Sequence, residues 1–211
     1  SLKIPVGGFY KLVLSDGTKV WLNADSELKY PVRFVGGKRE VYLKGEGYFQ
    51  VSKDSCRQFI VHLQNSEITV LGTAFNVSAY EDEAHVYTTL EEGRVAFYSR
   101  QNKQRILLKP GMQSDMEVAT GKTVVSEVDP SLYSAWIEGR FVFQSLDLES
   151  ILRQLQRWYD FEVFFQQQEV KNYRFRGVLS RDMDIRQALD IIEETTDLKF
   201  DIKGKTILVR K

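Results

Sequence analysis

Two stretches near the end of the chain, DLESILRQLQRWYDFEVFF (Asp147–Phe165) and DIRQALDIIEETTDLKFDI (Asp184–Ile202), follow the same pattern. In each stretch the apolar residues recur at positions i, i+3, i+4 and i+7, which is one face of an α-helix. These residues are Leu148, Ile151, Leu152 and Leu155 in the first copy and Ile185, Ala188, Leu189 and Ile192 in the second. An alternating apolar run follows each of them, so each stretch predicts a helix and then a strand.

The flanking residues support this interpretation. Asp147 and Asp184 precede the apolar faces where a helix N-cap is expected, and Gln187 completes the spacing of a capping box. The runs FVF and GVL before the two helices favour strands, and TILVR supplies a last one. A helix with a single apolar stripe buries that stripe against neighbouring strands. The sequence therefore predicts a compact βαβ-βαβ domain over residues 135–211.

Most of the preceding sequence predicts β-strands. From Phe9 to about Val128, short alternating apolar runs are separated by turn residues. KLVLSDGTKVWL places Asp16-Gly17 between two such runs, as in a tight hairpin, and FVGGKREVYL repeats the pattern around Gly36-Gly37. The runs predict an all-β domain, either an antiparallel sandwich, a barrel or a solenoid-like stack.

The pattern changes at Asp129-Pro130, where DPSLYSAWIEG lacks alternation and predicts a helical or irregular connector. We therefore predict an all-β domain over residues 1–134 and the α+β domain over residues 135–211. The predicted fold class is mostly β plus α+β.

Composition and charge narrow the possible classes of protein. The 29 Lys and Arg residues balance the 29 Asp and Glu residues, and neither half of the chain is basic, which disfavours direct nucleic-acid binding. Cys56 is the single cysteine, so an intramolecular disulfide is excluded. No apolar run approaches the roughly 18 residues of a spanning helix. No signal peptide follows Ser1, and we expect any membrane-crossing segment to lie outside this sequence.

No metal, nucleophilic or cofactor site is predicted. His62 and His85 lie inside strand-like runs without a third ligand, and Cys56 lies in a polar turn without a nearby histidine. The stretch VLGTAFNV resembles a phosphate-binding loop only superficially, because a strand and not a helix follows it. We interpret it as a bend between two strands.

Two acidic stretches, KGEGYF and LEEGRV, could supply the paired carboxylates of a glycosidase. Glu46, Glu91 and Glu92 stand beside glycines, where hairpin turns usually carry solvated charges. The solvated-turn interpretation is favoured, and we predict that the protein is not an enzyme.

The stretch KNYRFRG (Lys171–Gly177) combines arginines with aromatic residues, a composition that protein interfaces favour. As a strand it would place Asn172 and the two arginines on one face and the two aromatics on the other. A solvated edge strand explains the same pattern. Trp158 and Tyr159 follow the first helical stripe and either pack under the sheet or contact a partner. The hypothetical partner-binding residues are Arg174, Phe175, Arg176, Tyr173 and Tyr159.

Five ordered motifs make the sequence resemble a known family. They are LSDGTKVWLNADSELKYP, LKGEGYFQV, VLGTAFNVSAY, LEEGRVAF and LLKPGMQ. In this order and spacing they resemble FecR-like proteins, the transmembrane anti-sigma regulators of cell-surface signalling in Gram-negative bacteria. The tail from Gly139 resembles the module that often follows the FecR core, which is similar to the short N-terminal domain of secretins and TonB-dependent transporters. The resemblance covers essentially the whole chain.

This resemblance implies the periplasmic domain of a single-pass inner-membrane protein, with no catalytic, cofactor-binding or metal-binding residues. The partners it implies are the signalling domain or plug of a TonB-dependent outer-membrane transporter, an extracytoplasmic-function sigma factor bound through a cytoplasmic segment not in this sequence, and site proteases. One departure is Gly47, where a small residue such as alanine is expected between Glu46 and Tyr48. At a turn this departure would be harmless.

Three alternatives from other classes remain. Strand-rich domains with exposed aromatics often bind carbohydrates or other ligands. The small α+β module could instead serve as a docking or oligomerisation module of a secretion system. The last alternative is an enzyme whose site the sequence does not reveal.

Overall fold

The computed structural model describes all 211 residues and divides into two compact units, Ser1–Ile137 and Glu138–Lys211. The first unit is one curled sheet of thirteen strands followed by a short helix, and the second combines two helices with two small sheets. The predicted class, mostly β plus α+β, is confirmed.

The strands of the first unit are β1 (Leu2–Ile4), β2 (Tyr10–Val13), β3 (Lys19–Leu22), β4 (Ser26–Lys29), β5 (Lys38–Gln50), β6 (Gln58–His62), β7 (Ser66–Val70), β8 (Ala74–Ala79), β9 (His85–Glu92), β10 (Val95–Ser99), β11 (Arg105–Leu108), β12 (Met112–Glu117) and β13 (Thr123–Glu127). Their main order is β11-β10-β7-β6-β5-β8-β9-β12-β13, and β3 and β4 pair with the other edge of β5. The pair β5–β6 is parallel, whereas every other pair in this sheet is antiparallel.

The thirteen-residue strand β5 organises the first unit because it pairs with four strands. Its first half lies between β6 and β4, and its second half lies between β8 and β3. Side chains on its buried face, including Val41, Leu43 and Phe49, enter the core. The ring of Phe49 stacks on Phe75 of β8 with centroids 5.3 Å apart. One strand thus joins both halves of the sheet.

The sequence had predicted two turns near β5, and both predictions are wrong. Gly36-Gly37 does not close a hairpin, because residues 30–37 form an irregular loop and β4 pairs with residues 42–44 of β5. The stretch KGEGYF is not a turn but the middle of β5. Gly45 has φ 84°, and a Cβ there would lie 2.4 Å from Ser26 Oγ, so only glycine permits this close approach of two strands.

Gly47 is consequently not a harmless turn residue. It lies within β5, and an added Cβ would lie 3.1 Å from the Phe49 ring and 3.4 Å from Leu22 and Leu43. Alanine would fit only if these core side chains shifted by a few tenths of an ångström. The absence of a side chain at this position is a packing feature.

Arg39, at the start of β5, carries a buried guanidinium. The side chain of Arg39 has 0% exposure, and its Nη1 donates to Asp16 Oδ2 at 2.8 Å and to the Ser52 carbonyl at 2.9 Å. Its Nη2 donates to the Arg57 carbonyl at 2.8 Å. A buried charge is tolerated when it is paired and hydrogen-bonded, as here. Arg39 therefore connects the β2–β3 turn to both ends of the β5–β6 crossover.

The first unit ends in a connector that packs onto the sheet. Helix α1 (Pro130–Ser134) begins at the N-cap Asp129, and a 3₁₀ turn (Ala135–Glu138) follows. The indole of Trp136 is buried, and its Nε1 donates to Asn76 Oδ1 at 3.1 Å. Its ring meets Phe9 edge to face at 5.9 Å. The predicted connector is thus helical and anchored.

The elements of the second unit are β14 (Arg140–Asp147), α2 (Leu148–Tyr159), β15 (Glu162–Phe165), a 3₁₀ turn (Gln168–Asn172), β16 (Arg174–Ser180), α3 (Ile185–Glu194), β17 (Lys199–Lys203) and β18 (Thr206–Arg210). Strand β14 pairs with β16, and β18 lies between β15 and β17. The predicted repeat of strand, helix and strand is confirmed.

The predicted helix faces and caps are confirmed as well. The four apolar residues of α2 have 0% exposure, and in α3 Ala188 and Leu189 are equally buried. Asp147 Oδ1 accepts from the Ser150 amide at 2.9 Å. Asp184 and Gln187 form a reciprocal capping box, so two amides at the start of α3 are satisfied.

Arg39→Met should lower the free energy of unfolding by about 3 kcal/mol or more, because Asp16 and two buried carbonyls would lose their donor. Arg57→Met is the matched control. It removes a partly exposed ion pair with Asp54 and should cost at most about 1 kcal/mol. Urea unfolding measures both. Equal losses would contradict the structural role of Arg39.

The hydrogen bonds of Glu193 should make the second unit sensitive to acid. Burial acts to raise the pKa of Glu193, but hydrogen bonds from the Phe200 amide, Arg186 and Lys199 outweigh burial and lower it. A lowered pKa in the folded state gives a stabilisation that is complete above the ordinary value of 4.5 and is lost as the pH falls below it.

Glu193→Gln should therefore reduce stability at neutral pH and flatten its decline below about pH 4.5. Urea unfolding at a series of pH values, followed by circular dichroism at 222 nm, measures this, because the helices dominate that signal. A decline as steep as that of the wild type would show that other carboxylates control the acid response.

Candidate partner-binding surface

Strands β14 and β16 form a two-stranded antiparallel sheet. Each pairs only with the other, so each has one edge without a strand partner. The register shifts between Phe143 and Leu146, where Ser145 has φ 54°. Unpaired edges expose backbone donors and acceptors that can receive a strand of another protein.

The two faces of this sheet differ in character. Phe141, Phe143 and Leu179 are buried in the core of the second unit. On the opposite face, Val142 lies across from Val178, whose exposure is 55%. We call this opposite face the arginine face, and it comprises Arg140, Val142, Gln144, Arg174, Arg176 and Val178.

Three arginines lie on the same face of the sheet as the valine pair. Arg174 Nη1 donates to the Ser145 carbonyl at 2.6 Å, and Arg176 Nη2 lies 3.5 Å from Gln144 Oε1. Arg140 pairs with Glu138. These are local contacts at the surface, and Arg174 and Arg176 are both exposed. Guanidinium donors in this arrangement bind carboxylates and carbonyl oxygens well.

The structure separates the five predicted partner-binding residues into two groups. Arg174 and Arg176 lie together on the arginine face and are exposed. Tyr173 and Phe175 are half-buried against the core, and Lys211 Nζ lies 5.9 Å from the Tyr173 ring centroid. Tyr159 donates its hydroxyl to the Met183 carbonyl at 2.7 Å, and burial raises the pKa of Tyr159.

Two details of the predicted pattern change. Asn172 ends the 3₁₀ turn and does not belong to β16, so it does not share the arginine face. Arg140, Val142 and Val178 were not identified from the sequence. The alternation that placed Arg174 and Arg176 outward extends to Val178, but the pairing of β16 with β14 is a tertiary feature.

The histidines and the cysteine form no reactive cluster. His62 stacks on Tyr42 at 4.7 Å, and its Nδ1 lies 3.0 Å from Arg100 Nη2. His85 Nδ1 lies 2.5 Å from Asp115 Oδ1 on the neighbouring strand. Cys56 is exposed in a turn closed by Asp54. No group of three or more His, Cys, Asp or Glu residues is placed to hold a metal ion.

The acidic residues of KGEGYF and LEEGRV take part in structural contacts. Glu46 is not a solvated turn residue as predicted, since its carboxylate accepts from Asn23 Nδ2 at 2.7 Å and from Asn76 Nδ2 at 2.9 Å. Glu91 accepts from the hydroxyl of Tyr48 at 2.8 Å. Burial and this hydrogen bond raise the pKa of Tyr48 well above its ordinary value.

None of the helices has the length and apolar character that crossing a bilayer requires.

Comparisons with known proteins agree on one family. The sequence profile "FecR protein" matches residues 1–96, and the profile "FecR, C-terminal" matches residues 140–209. Two crystal structures of a candidate anti-sigma factor from Parabacteroides distasonis ATCC 8503, at 1.65 and 2.50 Å resolution, are each 25% identical with a TM-score of 0.91. The likeness covers 100% of this chain and 98% and 97% of theirs. No curated protein matched the chain.

Neighbouring residues of β16 should differ in their effect on stability, because Arg174 and Arg176 are exposed and Phe175 packs on the core. Arg174→Glu with Arg176→Glu should change the free energy of unfolding by less than about 1 kcal/mol, because both side chains are exposed. Phe175→Ala should cost roughly 2 kcal/mol, because its ring packs on the core. Urea unfolding measures both, and a large loss in the arginine variant would show that the arginine face has a structural role.

Proposed function

Since the chain belongs to the FecR family, whose members are signalling anti-sigma factors, we propose that it is the periplasmic sensor region of such a factor. It relays a signal from a TonB-dependent outer-membrane transporter to an extracytoplasmic-function sigma factor through protein–protein contact. The supporting observation is that both units match this family, each with its own profile.

The contact surface in this proposal is the two-stranded sheet of the second unit. Its unpaired edges offer backbone hydrogen bonds to a strand from the signalling domain or plug of the transporter. Arg174 and Arg176 contact the side chains of the bound strand and give the contact its specificity. A single added strand makes a small interface, which suits a reversible signal.

The sigma factor is contacted elsewhere in this proposal, by a cytoplasmic segment outside the 211 residues. Site proteases act after the transporter has engaged the sensor region. The role of the described residues is recognition, and the proposal requires no catalytic group among them.

The direct test is binding between the chain and the purified signalling domain of a TonB-dependent transporter from the same organism. Arg174→Glu with Arg176→Glu should weaken binding about tenfold or more, since charge-assisted contacts would become repulsive. Lys203→Glu with Lys205→Glu is the matched control, because these exposed cations belong to the β17–β18 hairpin. Isothermal titration calorimetry measures the affinities.

A sigma-dependent reporter gene in cells supplies the second measurement. The arginine variant should lose induction by the transporter substrate, whereas the lysine control should retain it. Unchanged binding in the arginine variant would refute the arginine face as the contact surface. Absence of binding by the wild-type chain, together with an unresponsive reporter, would refute the transporter relay itself.

A further inference from the structure

The loop between β4 and β5 projects from the first unit. We call residues 29–38 the tip loop. Phe34 anchors it, because its ring meets the Phe59 ring edge to face at 5.9 Å and is partly buried against the core. Val32 and Val35, on either side of this anchor residue, are 91% and 87% exposed. No other large hydrophobic residue of the chain is as exposed as these two.

The backbone beyond Val35 is equally open. A Cβ added at Gly36 or Gly37 would meet no atom within 4 Å. The two valines are therefore almost wholly exposed to water and pack little against their own chain. Exposed apolar side chains that stand close together mark partner or membrane contacts more often than scattered ones do.

The tip loop is also locally basic. Lys29, Arg33 and Lys38 are exposed, and residues 28–39 include no aspartate or glutamate. Lys29 Nζ lies 3.7 Å from Glu27 Oε1, and the side chains of Arg33 and Lys38 are exposed to solvent. The whole chain has no net charge, so its composition gives no sign of this local cluster of three exposed cations.

An open hollow of about 840 Å³ lies beside the loop. Its walls include Lys29, Tyr30, Arg33, Lys38, Glu40 and Tyr42. Three of these side chains are cationic, two are phenolic and one is acidic, and Pro31, Phe34 and Val35 supply apolar walls. Phenol rings and cations of this kind occur where proteins meet phospholipid headgroups.

We propose that the tip loop binds the surface of an anionic phospholipid bilayer. Val32 and Val35 enter the boundary between headgroups and acyl chains, and Lys29, Arg33 and Lys38 contact lipid phosphates. The tip is basic and the bilayer surface anionic, so their charges are complementary. Two valines offer much less area than the ~800 Å² that each partner of a standard protein interface buries. A bilayer needs no such area, because it combines shallow insertion with electrostatic attraction.

Vesicle flotation with the full chain tests this proposal. Vesicles containing about one third phosphatidylglycerol in phosphatidylcholine should retain the protein, whereas pure phosphatidylcholine vesicles should not. Binding should decline steeply between about 0.05 and 0.5 M NaCl, because salt screens exposed charges. Equal binding to both vesicle types would overturn the proposal.

Substitutions in the tip loop separate the apolar contribution to vesicle binding from the ionic contribution. Val32→Ser with Val35→Ser should weaken binding about tenfold, and each change among Lys29→Gln, Arg33→Gln and Lys38→Gln should weaken it about fivefold. The matched controls are Val124→Ser with Val125→Ser on β13, and Lys103→Gln, Lys109→Gln and Lys122→Gln in other turns. Weakening by the controls equal to that of the tip variants would refute the assignment to the tip loop.

Inorganic phosphate distinguishes a bilayer from a soluble anion as the ligand. At matched ionic strength, phosphate should release no more protein from the vesicles than NaCl does. Greater release by phosphate would mean that the hollow binds free anions, and the bilayer proposal would fail. None of these outcomes depends on the transporter relay, so the two proposals can fail separately.

Discussion

The ion pair between Arg39 and Asp16 is the constraint on which the first unit depends. Asp16 also accepts hydrogen bonds from the amide and hydroxyl of Thr18, and the Thr18 hydroxyl accepts from the Ser52 amide. A guanidinium without solvent exposure is stable only when these partners are in place together. The pair therefore specifies three elements at once: the β2–β3 turn, the start of β5 and the crossover that makes β5–β6 parallel.

The helices of the second unit were predictable from the sequence because their signals are local. An N-cap aspartate and an apolar residue every three or four positions specify a helix within one stretch of chain, and the structure places both helices accordingly.

The wrong predictions around β5 have the opposite origin, because they depend on contacts between distant parts of the chain. Gly45 has the positive φ of a turn glycine, but the requirement for it comes from Ser26, nineteen residues earlier in the chain. Single-sequence patterns do not contain that contact.

The same distinction applies to the arginine face. The alternation of β16 is local, so the outward positions of Arg174 and Arg176 followed from the sequence. The position of Arg140 and Val142 beside them follows from the pairing of β16 with β14, which local patterns do not predict. Edge strands usually carry charged side chains that discourage aggregation. A surface with arginines beside an unpaired edge thus combines protection from unspecific pairing with selectivity for a chosen strand.

The anchoring of Trp136 has a mechanical consequence. A pull on the chain beyond residue 138 reaches the first unit at this indole, which bonds to Asn76 in the interior of the sheet, and Asn76 in turn bonds to Glu46 of β5. Without this anchor, the same force would act on the end of β13, an edge strand that can peel from β12 one hydrogen bond at a time. Force is instead delivered to the longest and most widely paired strand, where several bonds must break together.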